Sequence, residues 1–162
     1  MRTVCLVGAL VFAASCAHYS TSASGTGGPG SIAVPMFDNK SLESGLQQAL
    51  TDSLIQGFVT NGALRVLDED RAHLVLRGQI VDVREEPFTY DGRSEQFQIS
   101  IFLSVSCYDT LEKKILWEET RLRGFGIFDA ALDRREARTL GLDAAIRMLV
   151  EDVVDRTQVG GW

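Results

Sequence analysis

The side chains that most often perform catalysis are few in this sequence, and their spacing does not favour an active site. Of the two histidines, only His73 lies outside a Gly-rich stretch. One histidine cannot build a multi-histidine metal site, so we interpret it as structural. The acidic pairs Glu85-Glu86 and Glu118-Glu119 have the residue types of a glycosidase acid–base pair, but neighbouring strand residues point to opposite faces. The sequence therefore predicts no enzyme, no metal and no resident cofactor.

One cysteine has a setting that predicts covalent modification. Arg2 precedes an apolar run over residues 4–14, which is too short to cross a bilayer core of about 30 Å and is typical of a secretory signal. The run ends in the small residues 13–15 directly before Cys16. This junction resembles the bacterial lipobox, in which the cysteine thiol is acylated and becomes the new N-terminus. Residues 1–15 are therefore predicted to be a signal peptide, and Cys16 the site of lipid attachment.

The destination predicted for this lipoprotein is the periplasmic side of the outer membrane. Several acyl chains, each contributing about 0.8 kcal/mol per buried methylene, would anchor the protein firmly. Ala17 follows the cysteine, where an aspartate commonly signals retention in the inner membrane. Residues 16–30 are small, polar and Gly-rich, so they form a tether with a reach of about 20 Å. The alternative is an ordinary signal peptide cut near Ala14 or Ala17, which would leave Cys16 unmodified.

Length, charge and cysteine content limit the kinds of partner and the number of domains that the chain can have. The chain has 162 residues and a formal net charge of −6, which argues against nucleic acid as a partner because phosphate binding needs a broad basic face. Residues 31–162 are enough for a single domain that folds without metal or disulfide. Removal of the signal would leave Cys107 without an internal partner in the folded region. Because Cys107 falls on an apolar strand face, we interpret it as a buried thiol.

The first half of the domain is predicted to contain a strand, a helix and a short second strand. Residues 31–37 are apolar, but Pro35 cannot donate to a ladder, so this strand should lie at an edge. Leucine or phenylalanine recurs every four residues from Leu42 to Phe58, which predicts a helix over 42–61. We expect Ser41 to be its N-cap and Asn61-Gly62 to end it. Residues 64–67 indicate a further short strand.

The second half is predicted to contain three long strands and a helix. The strands span residues 73–85, 96–109 and 115–128. The middle one alternates strictly between apolar and polar residues, with only Phe102 out of pattern, so one of its faces should be buried and the other wetter. A helix over 134–158 begins at a motif resembling a capping box.

With the short stretch 64–67 left out, these elements occur in the order β-α-β-β-β-α. The simplest arrangement is an α+β fold with two helices packed on one face of a mostly antiparallel four-stranded sheet.

Three basic residues in loops are candidates for binding an anion. Arg93 lies in the connection between two predicted strands, and Lys113 and Lys114 lie in the next turn. Arginine and lysine bind phosphates through charge-assisted hydrogen bonds. In a simple meander these two connections lie at opposite ends of the central strand, so they need not form one site. The alternative is that the loop cations only keep the protein soluble.

Several stretches carry a family resemblance. They are IAVPMFDNKS (32–41), GLQQALTDSLIQGF (45–58), LRV (64–66), AHLVLRG (72–78) and LWEE (116–119). With the preceding lipobox-like segment and the closing helix, they resemble the LPS-assembly lipoprotein family LptE over residues 31–155. The turn DTLEKK departs from the pattern because it lacks the glycine often seen in such hairpins.

The resemblance implies an LptE-like α/β domain over residues 31–162 and a role in which no bond is made or broken. Proteins of that family fold as two helices against a four-stranded sheet and sit as a plug inside the LptD β-barrel. They help the barrel assemble and assist lipopolysaccharide on its way to the cell surface. The implied partners are thus an LptD-type barrel, lipopolysaccharide, and the outer membrane through the lipid on Cys16.

The resemblance leaves one alternative, and no family motif fixes the anion-binding residues. If a lipopolysaccharide site exists, charge and loop position favour Arg93, Lys113 and Lys114. A related opening and hairpin occur in TolB- and CsgG-like lipoproteins. The alternative function is therefore that of a scaffold in another envelope complex.

Overall fold

The computed structural model describes residues 30–88, 96–129 and 133–159. Cys16 and Arg93 lie outside these ranges, as do the signal and most of the tether. The elements in chain order are β1 (Ser31–Ala33), β2 (Asp38–Asn39), α1 (Leu46–Asn61), β3 (Arg65–Val66), β4 (Leu74–Phe88), β5 (Gln96–Asp109), β6 (Lys114–Asp129) and α2 (Arg134–Val159). The predicted α+β class with two helices is confirmed.

The described strands form one sheet of six, so the expectation of four strands was too low. Its order is β3-β1-β4-β5-β6, and β2 also pairs with β4. The long strands β4, β5 and β6 form an antiparallel meander, whereas the short strands β1, β2 and β3 pair in parallel. The two additional strands are β2, which follows the break at Pro35 and lies just beyond the predicted first strand, and β3, formed where residues 65–66 pair.

The split in the first strand is located at Pro35. Both β1 and β2 pair with β4, but from Ala33 to Asp38 the first segment advances five residues while β4 advances four, from Val75 to Gln79. One residue is therefore extra, as in a bulge. Proline has no amide hydrogen to donate to the ladder, so the break falls where pairing is impossible. The predicted continuous strand over 31–37 is thus correct only to Ala33.

Both helices pack on the same face of the sheet, which we call the helix face. In β5 every second residue from Ile99 to Cys107 is buried, as the alternation predicted. One core cluster contains these β5 side chains from Ile101 onward together with residues of α1 and α2, including Leu54 and Leu149. The opposite side, which we call the open face, carries the β5 residues of the other parity, and neither helix packs on it.

Helix α1 begins four residues later than predicted. Its N-cap is Gly45, in a left-handed conformation with φ of 81°, and Leu42 is fully exposed instead of joining the apolar stripe. Ser41 donates its hydroxyl to Asn39 Oδ1, and its own Oγ accepts the backbone amide of Glu43. Such local side-chain hydrogen bonds hold a turn in place of a helix. Ser41 therefore stabilises the loop before α1 and is not its cap.

Helix α2 spans nearly its predicted range and lies very close to β6. Asp133 accepts the backbone amides of Arg135 and Glu136 at the predicted start. An ideal Cβ built on Gly124 or Gly126 of β6 would collide with a backbone carbonyl oxygen of α2. Only glycine permits so close an approach of two backbones. Neither helix in the described part of the chain combines the length and the apolar composition needed to cross a membrane.

Replacing Gly126 with alanine should destabilise the fold. The added methyl group would meet the carbonyl oxygen of Gly141, so α2 must move away from the sheet, at a cost of about 1–3 kcal/mol for overpacking. Urea denaturation of the soluble domain measures this loss as a lower midpoint. The matched control is Gly30→Ala, where an added Cβ has no neighbour within 4 Å. Equal midpoints for both variants would contradict the close approach.

Candidate functional site

The hairpin turn that carries Lys113 and Lys114 is held by a single carboxylate. Asp109 Oδ1 accepts the backbone amides of Leu111 and Glu112, each at 2.8 Å. Lys113 adopts a left-handed φ of 54°, so it occupies the position where glycine would be favoured. The turn lacks glycine in sequence, and a lysine takes the strained conformation instead.

The two lysines are exposed but not equivalent. The ammonium of Lys114 pairs with Glu112, and this hydrogen bond raises the pKa of Lys114. Lys113 makes no ion pair with any residue in the ranges that the structure describes. Of the two, Lys113 is therefore the more available for an anion.

The connection that contains Arg93 starts and ends far from these lysines. Its connection leaves β4 after Phe88 and returns at Gln96, at the other end of the central strand from the turn. A strand of 14 residues is about 45 Å long. The predicted separation of the two connections is confirmed, while Arg93 itself lies outside the described residues.

His73 joins the start of β4 to the end of β5 and to the entry of β1. Its Nε2 lies 3.3 Å from Asp109 Oδ1, and its backbone amide donates to Ser31 Oγ. Burial acts to raise the pKa of Asp109, but the amides of Glu112 and Leu111 together with His73 lower it below the usual range. These contacts agree with the structural role predicted for His73. They also place Ser31, which follows the predicted tether, at the turn end of the sheet.

The open face carries a cluster of arginines and phenylalanines on the three long strands. Its members are Arg84, Phe102, Arg121, Arg123 and Phe125, which we call the arginine–phenylalanine patch. The guanidinium carbons of Arg84 and Arg121 lie 5.3 and 4.5 Å from the centre of the Phe102 ring. That of Arg123 lies 5.4 Å from the Phe125 ring. All three are within the distance at which a cation is attracted to an aromatic face.

The patch was not among the sequence candidates, although one residue in it gave a signal. Phe102 was the single aromatic residue that broke the polar alternation of β5, and in the structure it is central to the patch. Arg123 stands opposite Phe102 in the ladder, and its guanidinium also donates to Ser100 Oγ at 3.1 Å. Bulges in β6 decide which face of the sheet its arginines occupy, and the sequence does not reveal these bulges. The arginines of β6 could therefore not be assigned to the open face from sequence.

The acidic pairs considered for catalysis do not form dyads. Glu85 stands opposite Ile99 on the helix face, while Glu86 stands opposite Gln98 on the other side. Glu85 instead accepts hydrogen bonds from Arg134 and Arg138 of α2. Glu118 and Glu119 likewise face opposite sides of the sheet, as their pairing partners Ser106 and Val105 show.

A part-buried ion cluster ties α2 to the rest of the fold. Arg138 donates to Glu43 in the loop before α1 and to Glu85 in β4. The hydrogen bond to Glu43 contributes most to raising the pKa of Arg138. The cluster therefore joins three separate segments of chain. The charges of this cluster are neutralised within the fold, unlike those of Arg121 and Arg123 on the open face.

Cys107 is a buried thiol, as predicted. It lies within the main core cluster on the helix face. Burial, assisted by the negative charge of Asp109, raises the pKa of Cys107 to about 12. A thiol of this kind is neither a nucleophile nor a metal ligand at neutral pH.

Among the described residues, no group of three histidine, cysteine or acidic side chains is arranged to hold a metal ion.

Comparison with known proteins gives a family and a fold. The family model for LptE, described as lipopolysaccharide-assembly, matches residues 30–157. Protein XCC0632 from Xanthomonas campestris superposes with a TM-score of 0.59 at 14% identity, covering 81% of this chain and 85% of that one. A minor lipoprotein from Acinetobacter baumannii gives a TM-score of 0.55 at 12% identity, covering 79% and 91%. At such low identity the two structures show the fold alone. No curated protein sequence matches the chain.

The lowered pKa of Asp109 predicts a pH-dependent contribution to stability. A depressed carboxyl pKa stabilises the fold above the unfolded-state value, and this stability is lost as pH falls through the folded-state value. Asp109→Asn keeps an oxygen for the turn amides but removes the charge. The variant should thus be less stable than wild type near about pH 7, and the gap should close towards about pH 3.

Urea denaturation at the two pH values tests this prediction. Asp143→Asn is the matched control, since Asp143 is exposed on α2 and has no ion pair with a described residue. A gap between Asp109→Asn and wild type that persists unchanged at low pH would show that the carboxylate charge does not hold the turn.

Proposed function

Because the chain belongs to the LptE family of lipopolysaccharide-assembly proteins, we propose that it plugs and helps assemble an LptD-type β-barrel in the outer membrane. In this role it assists lipopolysaccharide transport and insertion and performs no catalysis. The observation that carries the proposal is the family match, which spans residues 30–157 and thus nearly all of the folded region. The open face supports the proposal because most of its β5 side chains are polar, and the lumen of an outer-membrane barrel is polar too.

The proposed attachment to the outer membrane is a lipid on Cys16. The tether joins the domain at Ser31, at the same end of the sheet as the hairpin turn. Lys113 and Lys114 would then lie on the membrane-proximal side, within reach of phosphates on lipopolysaccharide. Arg93, in the opposite connection, would meet lipopolysaccharide only at a different point along its path.

Replacing Cys16 with serine should abolish lipidation and membrane attachment. Cells grown with a palmitate analogue should label the wild-type protein, which should sediment with the outer membrane. Cys16→Ser removes the thiol that the predicted lipidation acylates, so label and sedimentation should both be lost. Cys5→Ser is the matched control, since this cysteine lies in the predicted signal and its loss should leave labelling intact. Full labelling of Cys16→Ser would refute the anchor.

The barrel partner is tested by affinity purification of the tagged, lipidated protein from detergent-solubilised outer membrane. An LptD-type barrel recovered in about equimolar amount is the expected result, since a plug occupies its lumen. Depletion of the protein should then impair lipopolysaccharide display at the surface. Recovery of a different envelope complex, with barrels still folded and lipopolysaccharide export intact, would favour the TolB- or CsgG-like scaffold role instead.

A further inference from the structure

The arginine–phenylalanine patch is opposite in charge to the chain as a whole. The protein carries a formal net charge of −6, yet the arginine–phenylalanine patch gathers three arginines on one side of the sheet. Arg84 is partly neutralised by Asp82, whose carboxylate lies 2.7 Å from its Nε. Arg121 and Arg123 form no ion pair with any carboxylate in the part of the chain that the structure describes. The patch therefore offers two exposed and uncompensated cations.

These two guanidinium groups are held in place before any partner arrives. Arg121 stacks on Phe102, while Arg123 lies over Phe125 and donates to Ser100. Holding a side chain in its bound geometry lowers the entropy lost on association. A stacked guanidinium still presents its planar edge, which matches a carboxylate in two parallel hydrogen bonds.

Apolar surface lies directly beside the two arginines. Phe125 and Ile127 are 37% and 42% exposed on the same face of β6. Arginine and aromatic residues are enriched at the centres of protein interfaces, whereas lysine is depleted there. The patch contains no lysine. Lys113 and Lys114, which neighbour each other in sequence, lie in the hairpin turn. This composition favours a protein partner over a lipid headgroup.

We propose that the open face is the surface that docks on the barrel partner, with Arg121 and Arg123 binding carboxylates of the barrel's inner wall. The inference rests on the proposed function and deepens it by naming the contacting face and its chemistry. A second copy of this chain is a poorer occupant, since a two-fold contact through this face would bring arginines against arginines. Carboxylates on a polar wall have the complementary charge and can reach a flat sheet without a pocket.

Charge reversal tests the proposal in the full-length, lipidated protein. Arg121→Glu combined with Arg123→Glu should lower the amount of co-purified LptD-type barrel about tenfold or more, because each new carboxylate would face another. The matched control is Arg65→Glu with Arg147→Glu, which changes the net charge equally at exposed positions outside the patch. That control should recover the barrel at the wild-type level. Thermal melts of both doubles should match wild type.

Two further measurements separate charge from geometry and from loss of folding. Arg121→Lys with Arg123→Lys keeps the charge but not the planar fork, so it should recover an intermediate amount of barrel. A photo-crosslinking phenylalanine analogue at Phe125, in an otherwise native chain, should crosslink to the barrel. Absence of that crosslink in a complex that does contain the barrel would overturn the proposal without reference to any destabilised variant.

The outcomes distinguish the inference from the proposed function. If wild type recovers no barrel, the proposed function fails and the inference falls with it. If wild type recovers the barrel and the charge-reversed patch recovers as much, only the inference is overturned. If the reversed patch keeps the barrel but loses binding of purified lipopolysaccharide, the arginines serve phosphates, which also overturns it.

Discussion

The architecture depends on burial of both helices against a single face of the sheet. The apolar residues of β5 that point to this face share one core with Leu54 of α1 and Leu149 of α2. Burial at roughly 25 cal/mol per Å² of apolar surface is the dominant favourable term in folding. Most of the core lies on this side, and the described residues of the other side bury only a small cluster of Ala33, Ala72 and Val75. The open face is thereby free to take residues chosen for an interaction.

The two halves of the sheet carry different features. Strand β1 begins at Ser31 among the short parallel strands, and His73 and Asp109 secure the adjacent turn. The long antiparallel strands carry the arginine–phenylalanine patch on the opposite side from the helices. Several cations elsewhere are paired, as Arg138 is with Glu43 and Glu85. Arg121 and Arg123 instead lie, without an ion pair to any described carboxylate, on a rigid strand surface rather than in a loop.

Sequence patterns predicted the regular parts of this fold well because periodicity reports burial. The alternation in β5 gave its bounds and its buried face, and the apolar stripe with Gly62 gave the end of α1. The predictions that failed concerned features that depend on single local contacts. Ser41 bonds to Asn39 and not to the helix, and Pro35 divides a strand that reads as continuous. The patch was missed because two bulges in β6 decide which face its arginines occupy, although Phe102 marked the surface to which they belong.

The close approach of α2 to β6 also governs how sequences with this geometry can diverge. At Gly126 a side chain on the strand would occupy the space of the Gly141 carbonyl, and at Gly124 that of Ala145. A single substitution at either strand position is therefore blocked unless the helix rises from the sheet and larger side chains fill the gap. Lineages must then change the strand glycines and the facing helix residues as a set. A chain of this fold with larger residues at these positions is therefore expected to hold its helix farther from the sheet.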